Sequence, residues 1–204
     1  HGAVSAMAVA GRRLITAGTD GNLKYWQVNW RGCLRCVESI PAHAGAILAA
    51  DLSDDGDLVI SAGQDGQTYL WRISQQVCLG SLPHRASGTT FVTFNPEEQL
   101  VAIGEDSGWL QILRVTGEPG QITVEQVIPA HAGAVQLINW LPGRRLLTMG
   151  ADQVMRLWSL RFQPPQLLAT EVDQPIAAML PIGPQTHLWG SDAGTILVQK
   201  IPPA

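Results

Sequence analysis

The sequence is poor in charge, in cysteine and in long apolar stretches. Only 15% of its 204 residues are charged, 13 basic and 17 acidic, for a net charge of −4. Surfaces that track a phosphate backbone carry a clear basic excess, so no nucleic acid partner is expected. Three cysteines, Cys33, Cys36 and Cys78, are an odd number, which argues against a disulfide framework and fits a reducing, cytoplasmic setting. Cys33 and Cys36 have metal-knuckle spacing, but structural zinc takes four ligands and Cys78 is the only other thiol. No His follows Cys36, so the haem-attachment pattern fails too. Neither a metal nor a cofactor is expected. No apolar run approaches the roughly 18 residues of a membrane span, and His1-Gly2-Ala3 opens neither a basic nor an apolar block. The chain reads as soluble, unexported and without a membrane partner.

What is present is apolar and punctuated. A hydrophobic content of 46% excludes a disordered chain, and 21 Gly with 13 Pro spread along the sequence point to many short elements joined by turns. A repeat organises them. Leu14 to Trp26, Val59 to Trp71 and Leu146 to Trp158 align without a gap, and weaker copies run from Val101 to Leu113 and from His187 to Gln199. Measured at Gly21, Gly66, Gly108, Gln153 and Gly194, the steps are 45, 42, 45 and 41 residues, the period of a propeller blade. A second landmark precedes four copies: His1-Gly2-Ala3-Val4, Pro41-Ala42-His43, Pro83-His84-Arg85 and Pro129-Ala130-His131. Between the landmarks lie runs rich in Val, Ile, Leu and Thr, broken by turns such as Asp55-Gly56, Asn95-Pro96 and Pro142-Gly143. Runs such as Leu58-Val59-Ile60 are continuously apolar, as strands covered on both faces are.

A His, a Ser or Thr, an Asp turn and a Trp recurring in fixed order resemble the WD-repeat family, over essentially the whole chain. The family's glycine-histidine pair is altered here, with Ala42, Pro83 or Ala130 before the His, and its tryptophan-aspartate pair becomes Trp26-Gln27, Trp71-Arg72 and Trp158-Ser159. These departures bear on subfamily rather than on fold. The resemblance implies an all-β propeller of four-stranded blades, read here as one domain over 1–204 with repeats near 1–40, 41–82, 83–128, 129–172 and 173–204. Five first strands share only four outer strands, so the chain is expected to be an open part of a longer ring, of seven blades, whose unpaired edges invite self-association.

Ser, His and Asp are also the parts of a nucleophilic triad. Here the trio recurs, whereas an active site is needed once. The resemblance implies instead a buried hydrogen-bond tetrad in each blade: His1, Thr16, Asp20 and Trp26; His43, Ser61, Asp65 and Trp71; His131, Thr148, Asp152 and Trp158. At the aligned positions blade three has Ile103, Ser107 and Leu113, and blade five has Trp189, Ala193 and Gln199, so both are expected to lack the tetrad unless a local shift brings in Asp106 or Asp192. His84 is then either an exposed loop residue or part of a binding surface.

Partner contacts are expected on the rims. One rim carries Thr19, Gln64, Asp106, Ala151 and Asp192. The other groups charge by blade: Arg12 and Arg13, then Asp54, Asp55 and Asp57, then Glu97 and Glu98, then Arg144 and Arg145. These turn tips are either merely solvated or a polarised docking face. Trp30, Trp109 and Trp140 lie off the structural Trp position, and are either packed between blades or contact residues. The resulting expectation is a non-catalytic scaffold for protein or peptide partners, with Thr19, Gln64, Asp106, Asp192, Arg144 and Arg145 as contact candidates. Two other readings are a C-terminal sensor or docking module of a larger regulatory nucleotide hydrolase or kinase, and a propeller enzyme with an axial site.

Overall fold

The structure is a computed structural model that describes residues 2–82, 88–116, 121–162, 164–171, 176–183, 186–191 and 196–200, the last three segments through their backbone alone. Each repeat folds as an antiparallel meander. Blade one holds β1 (Val4–Ala10), β2 (Arg13–Gly18), β3 (Asn22–Val28) and β4 (Leu34–Pro41), paired in that order. Blade two holds β5 (Ile47–Leu52), β6 (Leu58–Gly63), β7 (Thr68–Arg72) and β8 (Val77–Ser81). Blade three holds β9 (Thr89–Phe94), β10 (Leu100–Glu105), β11 (Trp109–Val115) and β12 (Ile122–Pro129). Blade four holds β13 (Val135–Leu141), β14 (Arg145–Gly150), β15 (Met155–Ser159) and β16 (Gln166–Glu171). The fifth sheet has three strands, β17 (Ile176–Gly183), β18 (Thr186–Ser191) and β19 (Ile196–Lys200). No helix occurs among the described residues, and no strand pairing closes the last sheet onto the first.

The sequence repeat is a register repeat. The pairing of third and fourth strands shifts at the same place in four blades, between Tyr25 and Trp26, Leu70 and Trp71, Ile112 and Leu113, and Leu157 and Trp158. A bulge of this kind bends the outer strand and increases its twist.

Neighbouring blades meet face to face. Ile15, Ala17 and Leu23 pack on Leu52 and Val59; Ile60, Ala62 and Leu70 pack on Val92, Phe94 and Val101; Leu100, Ala102 and Ile112 pack on Val135, Ile138 and Leu146. Ile15, Ile60, Leu70, Leu100, Ile103 and Leu146 are at most 1% exposed, and each such burial contributes about 1.5–3 kcal/mol. This explains the unbroken apolar runs of the second strands, which have a sheet on either side. The face of blade one turned away from blade two exposes Met7 and Val9, each 65% accessible.

The turn glycines tie one blade to the next. Gly21 has φ +76° and Gly108 φ +84°, and a Cβ on either would overlap the carbonyl oxygen of His43 or His131. The Gly21 carbonyl accepts the N–H groups of Ala42 and His43, at 3.0 and 3.1 Å; Gly108 accepts those of Ala130 and His131, at 3.0 and 2.9 Å. Gln153 occupies the same turn position in blade four with φ 59°, a conformation unusual for a residue with a Cβ.

Candidate functional site

In blade two the Trp71 indole donates to Ser61 Oγ at 3.0 Å, Ser61 Oγ lies 2.8 Å from His43 Nε2, and His43 Nδ1 lies 2.9 Å from Asp65 Oδ1. A donor-only indole makes Ser61 an acceptor, so its own proton goes to His43 Nε2, and the His43 proton sits on Nδ1 facing Asp65. The Asp65 carboxylate also accepts the N–H groups of Ala44 and Gln67, both at 3.1 Å. Burial alone would raise its pKa, but the bonds from His43, Gln67 and Ala44 hold it below the usual carboxylate range.

Blade four repeats the arrangement. Trp158 donates to Thr148 Oγ1 at 3.0 Å, His131 Nε2 lies 2.8 Å from that oxygen, and His131 Nδ1 lies 2.9 Å from Asp152 Oδ1. Arg156 adds a charged bond to Asp152 Oδ2 at 2.7 Å and lies 2.6 Å from His131 Nδ1. Against the opposing effect of burial, the bonds from Arg156, Ala132, His131 and Val154 hold Asp152 well below the usual carboxylate range. His131 is shifted down, chiefly by burial, so this ring is neutral near pH 7. In blade one Trp26 donates to Thr16 Oγ1 at 2.9 Å and Asp20 Oδ1 accepts the Asn22 N–H at 3.2 Å, while His1 lies outside the described residues. None of these hydroxyls is placed as a nucleophile. Ser61 and Thr148 are 0% exposed and each bridges an indole and an imidazole.

A family model for the WD domain, G-beta repeat, matches residues 34–72, the stretch that carries His43, Ser61, Asp65 and Trp71. A curated relative, the DENN domain and WD repeat-containing protein SCD1 of Arabidopsis thaliana, is 26% identical over 153 residues. Residues 34–72 of this chain thus form a WD repeat. The match covers 74% of this chain but 12% of the relative. The computationally designed Ika8 protein has the same fold, with a TM-score of 0.78 at 20% identity over 97% of this chain and 58% of that one.

Among the blades with described side chains, blade three departs furthest from the tetrad. Gly63 and Gly150 lie beneath the tetrad histidines, and a Cβ on either would collide with the imidazole of His43 or His131. The aligned residue in blade three is Glu105, and its side chain, 0% exposed, lies where the other blades need an empty glycine. Gln111 Nε2 donates to Glu105 Oε1 at 2.5 Å and Ser107 Oγ donates to Oε2 at 3.1 Å. Asp106 stays outside this cluster, exposed at the turn. A different polar network therefore replaces the tetrad where the sequence suggests none. Its signal was a Glu at the glycine position together with a Gln opposite Ile103, the position held by Tyr69 and Arg156 in the tetrad blades. His84 and Ala193 lie outside the described residues, and Trp189 and Gln199 are described through their backbone alone.

On the upper rim Thr19, Gln64 and Asp106 are exposed, and Asp192 lies outside the described residues. Thr19 Oγ1 accepts the Ala3 N–H at 3.1 Å, so its hydroxyl closes its own loop. On the opposite rim both candidate arginines turn inward. Arg145 is 5% exposed and donates to the Pro142 carbonyl at 3.2 Å. Arg144 is drawn onto Glu98 at 3.0 Å and Glu125 at 3.1 Å, with Arg114 on Glu125 at 2.5 Å. The geometry thus favours bracing blades three and four over free docking charges for this pair. Trp140, 8% exposed, donates to the Thr93 carbonyl at 3.4 Å across the same boundary, while Trp30 is 75% exposed with Arg31 stacked 4.4 Å from its ring.

Asp51 had no signal in the repeat. Its carboxylate accepts the N–H groups of Phe94 and Leu52, each at 2.8 Å, and so links the first strands of blades two and three. Burial pushes its pKa up. Among the described residues, no three His, Cys, Asp or Glu side chains are grouped to hold a metal ion, and Cys33, Cys36 and Cys78 are free and exposed.

Proposed function

We propose that the chain is a non-catalytic docking scaffold for protein or peptide partners, working as one module of a longer protein. WD repeats generally mediate protein–protein interaction. The observation that carries the reading is the internal use of the recurrent chemistry: the Ser, Thr, His and Asp side chains of blades two and four bond to one another and to their own backbone. Exposed polar groups are left at the turns, where recognition by a rigid scaffold is ordinarily placed. The module reading is favoured by a relative named for a DENN domain beside its WD repeats and much longer than this chain. Free, exposed thiols support a reducing, cytoplasmic setting.

Cross-linking of the purified chain to affinity-captured partners, read by mass spectrometry, tests the proposal. Cross-links should concentrate on the rim turns. Turnover of any substrate in a broad hydrolase screen, abolished by one substitution near the propeller axis, would overturn it.

A further inference from the structure

Between the β5–β6 turn of blade two and the β9–β10 turn of blade three lies an open cleft of about 300 Å³. Its apolar lining is Leu58, Phe94 and Val115, and acidic side chains stand at its edges. Four carboxylates border it, but two are already engaged. Asp55 accepts Ser53 Oγ at 2.6 Å and the Asp57 N–H at 3.0 Å, and Glu98 pairs with Arg144 at 3.0 Å. Asp54 and Glu97 have no side-chain partner among the described residues and are exposed at the two turns.

A further, independent feature is Asn95. It lines the cleft, is 8% exposed, and its Oδ1 accepts the N–H groups of Glu97 and Glu98 at 2.7 and 3.2 Å. Those bonds fix the amide, and its NH₂ has no hydrogen-bond partner among the described residues. The amide lines the cleft, so this donor is open to solvent or to an acceptor on whatever occupies the cleft. A metal ion or a polyamine offers none, whereas a peptide main chain offers a carbonyl at every residue. The surrounding field has the matching sign: residues 41–128 carry eleven acidic and three basic side chains.

We propose that this cleft docks an extended basic segment of a partner protein. A Lys or Arg of that segment would place its charge between Asp54 and Glu97 and its aliphatic stem over Leu58 and Phe94, with a neighbouring carbonyl receiving the Asn95 amide. The inference rests on the scaffold reading and names the partner chemistry for one stretch of rim.

The test uses the full chain and a short fluorescein-labelled peptide of alternating Lys and Leu, with a Glu-for-Lys peptide as control, followed by fluorescence anisotropy. The Lys peptide should bind, the Glu peptide should not, and affinity should fall as salt rises. The Asp54→Asn/Glu97→Gln double variant should lose about tenfold or more in affinity, while Asp106→Asn on the opposite rim leaves it unchanged. Matching circular dichroism and thermal midpoints for all three proteins show that the fold is retained. Absence of Lys-peptide binding, equal affinity in the double variant, or equally effective saturation by spermidine or Ca²⁺ each overturns the proposal. Partner capture that survives in the double variant would sink the cleft while leaving the scaffold reading intact; loss of all partner capture from both proteins would sink the scaffold.

Discussion

Blades two and three solve the same packing problem with different chemistry. In blade two a histidine from the preceding loop reaches over Gly63 and is held between Ser61 and Asp65. In blade three the second strand supplies its own carboxylate, Glu105, and neighbouring Gln111 and Ser107 satisfy it. The first network spans a loop and two strands, so it locks the blade's entry loop to its sheet. The second joins Glu105 to Ser107 in the turn that follows it and to Gln111 on the next strand. A propeller blade therefore needs its buried polar groups satisfied, but it does not need one particular set to do so.

The strongest way to break the comparison is to move blade three's residue into blade two. Gly63→Glu sets a side chain against the His43 ring, and it should destabilise the chain by about 3 kcal/mol or more, read by urea denaturation. Wild-type stability in this variant would mean that His43 is not held where the structure has it.

Next comes the hydroxyl that joins indole to imidazole. Ser61→Ala leaves the Trp71 N–H and His43 Nε2 without their shared partner and should cost about 2 kcal/mol. The aligned change in blade three, Ile103→Val, removes one buried methylene and should cost about 1 kcal/mol. Equal losses would show that the tetrad's hydrogen bonds add nothing beyond packing.

How much of this was legible in the sequence depends on whether the repeat itself encoded it. The strands, turns and tetrads recur, and Trp71, Ser61, His43 and Asp65 stand in the contacts that the resemblance implies because four spaced landmarks fix one register. Glu105 and Gln111 were harder to see because each looks like an isolated polar substitution; only the pairing of β10 with β11 and the empty space above a neighbouring glycine bring them together. Asp51, Asn95 and Trp140 act across blade boundaries or within a single turn, at distances in sequence that no repeat alignment reports. The arginines of blade four show the opposite failure. Their position at a turn tip suggested solvent, but Glu98 and Glu125 of the preceding blade lie within reach and draw Arg144 inward.

The acid limb of the stability curve sharpens the contrast in a graded way. His131 has a lowered pKa in the fold, so the unfolded chain binds its proton first, and stability declines once pH falls below about 6.5. The depressed carboxyls of Asp65 and Asp152 add stability that is fully present above their unfolded pKa near 3.8 and is lost as pH falls through their folded values. Asp51 acts in the opposite sense, because its raised pKa makes protonation easier in the folded state. Urea midpoints measured from pH 7 to pH 4 should therefore fall, and His131→Gln should flatten the part of that fall beginning near pH 6.5. An unchanged slope would remove His131 from the account.

The smallest expected effect is also the most discriminating between the two networks. Asp65→Asn turns one acceptor oxygen into a donor facing the His43 N–H and that of either Gln67, at Oδ1, or Ala44, at Oδ2, and should cost about 2 kcal/mol. Glu105→Gln meets different neighbours: the remaining oxygen can still take the Gln111 amide, and the Ser107 hydroxyl can rotate to accept from the new NH₂. Its cost should be about 1 kcal/mol, since both of these bonds survive and an uncharged group is easier to bury. If Glu105→Gln proves as damaging as Asp65→Asn in matched urea titrations, the charge itself, rather than the pairing of the cluster, holds blade three together.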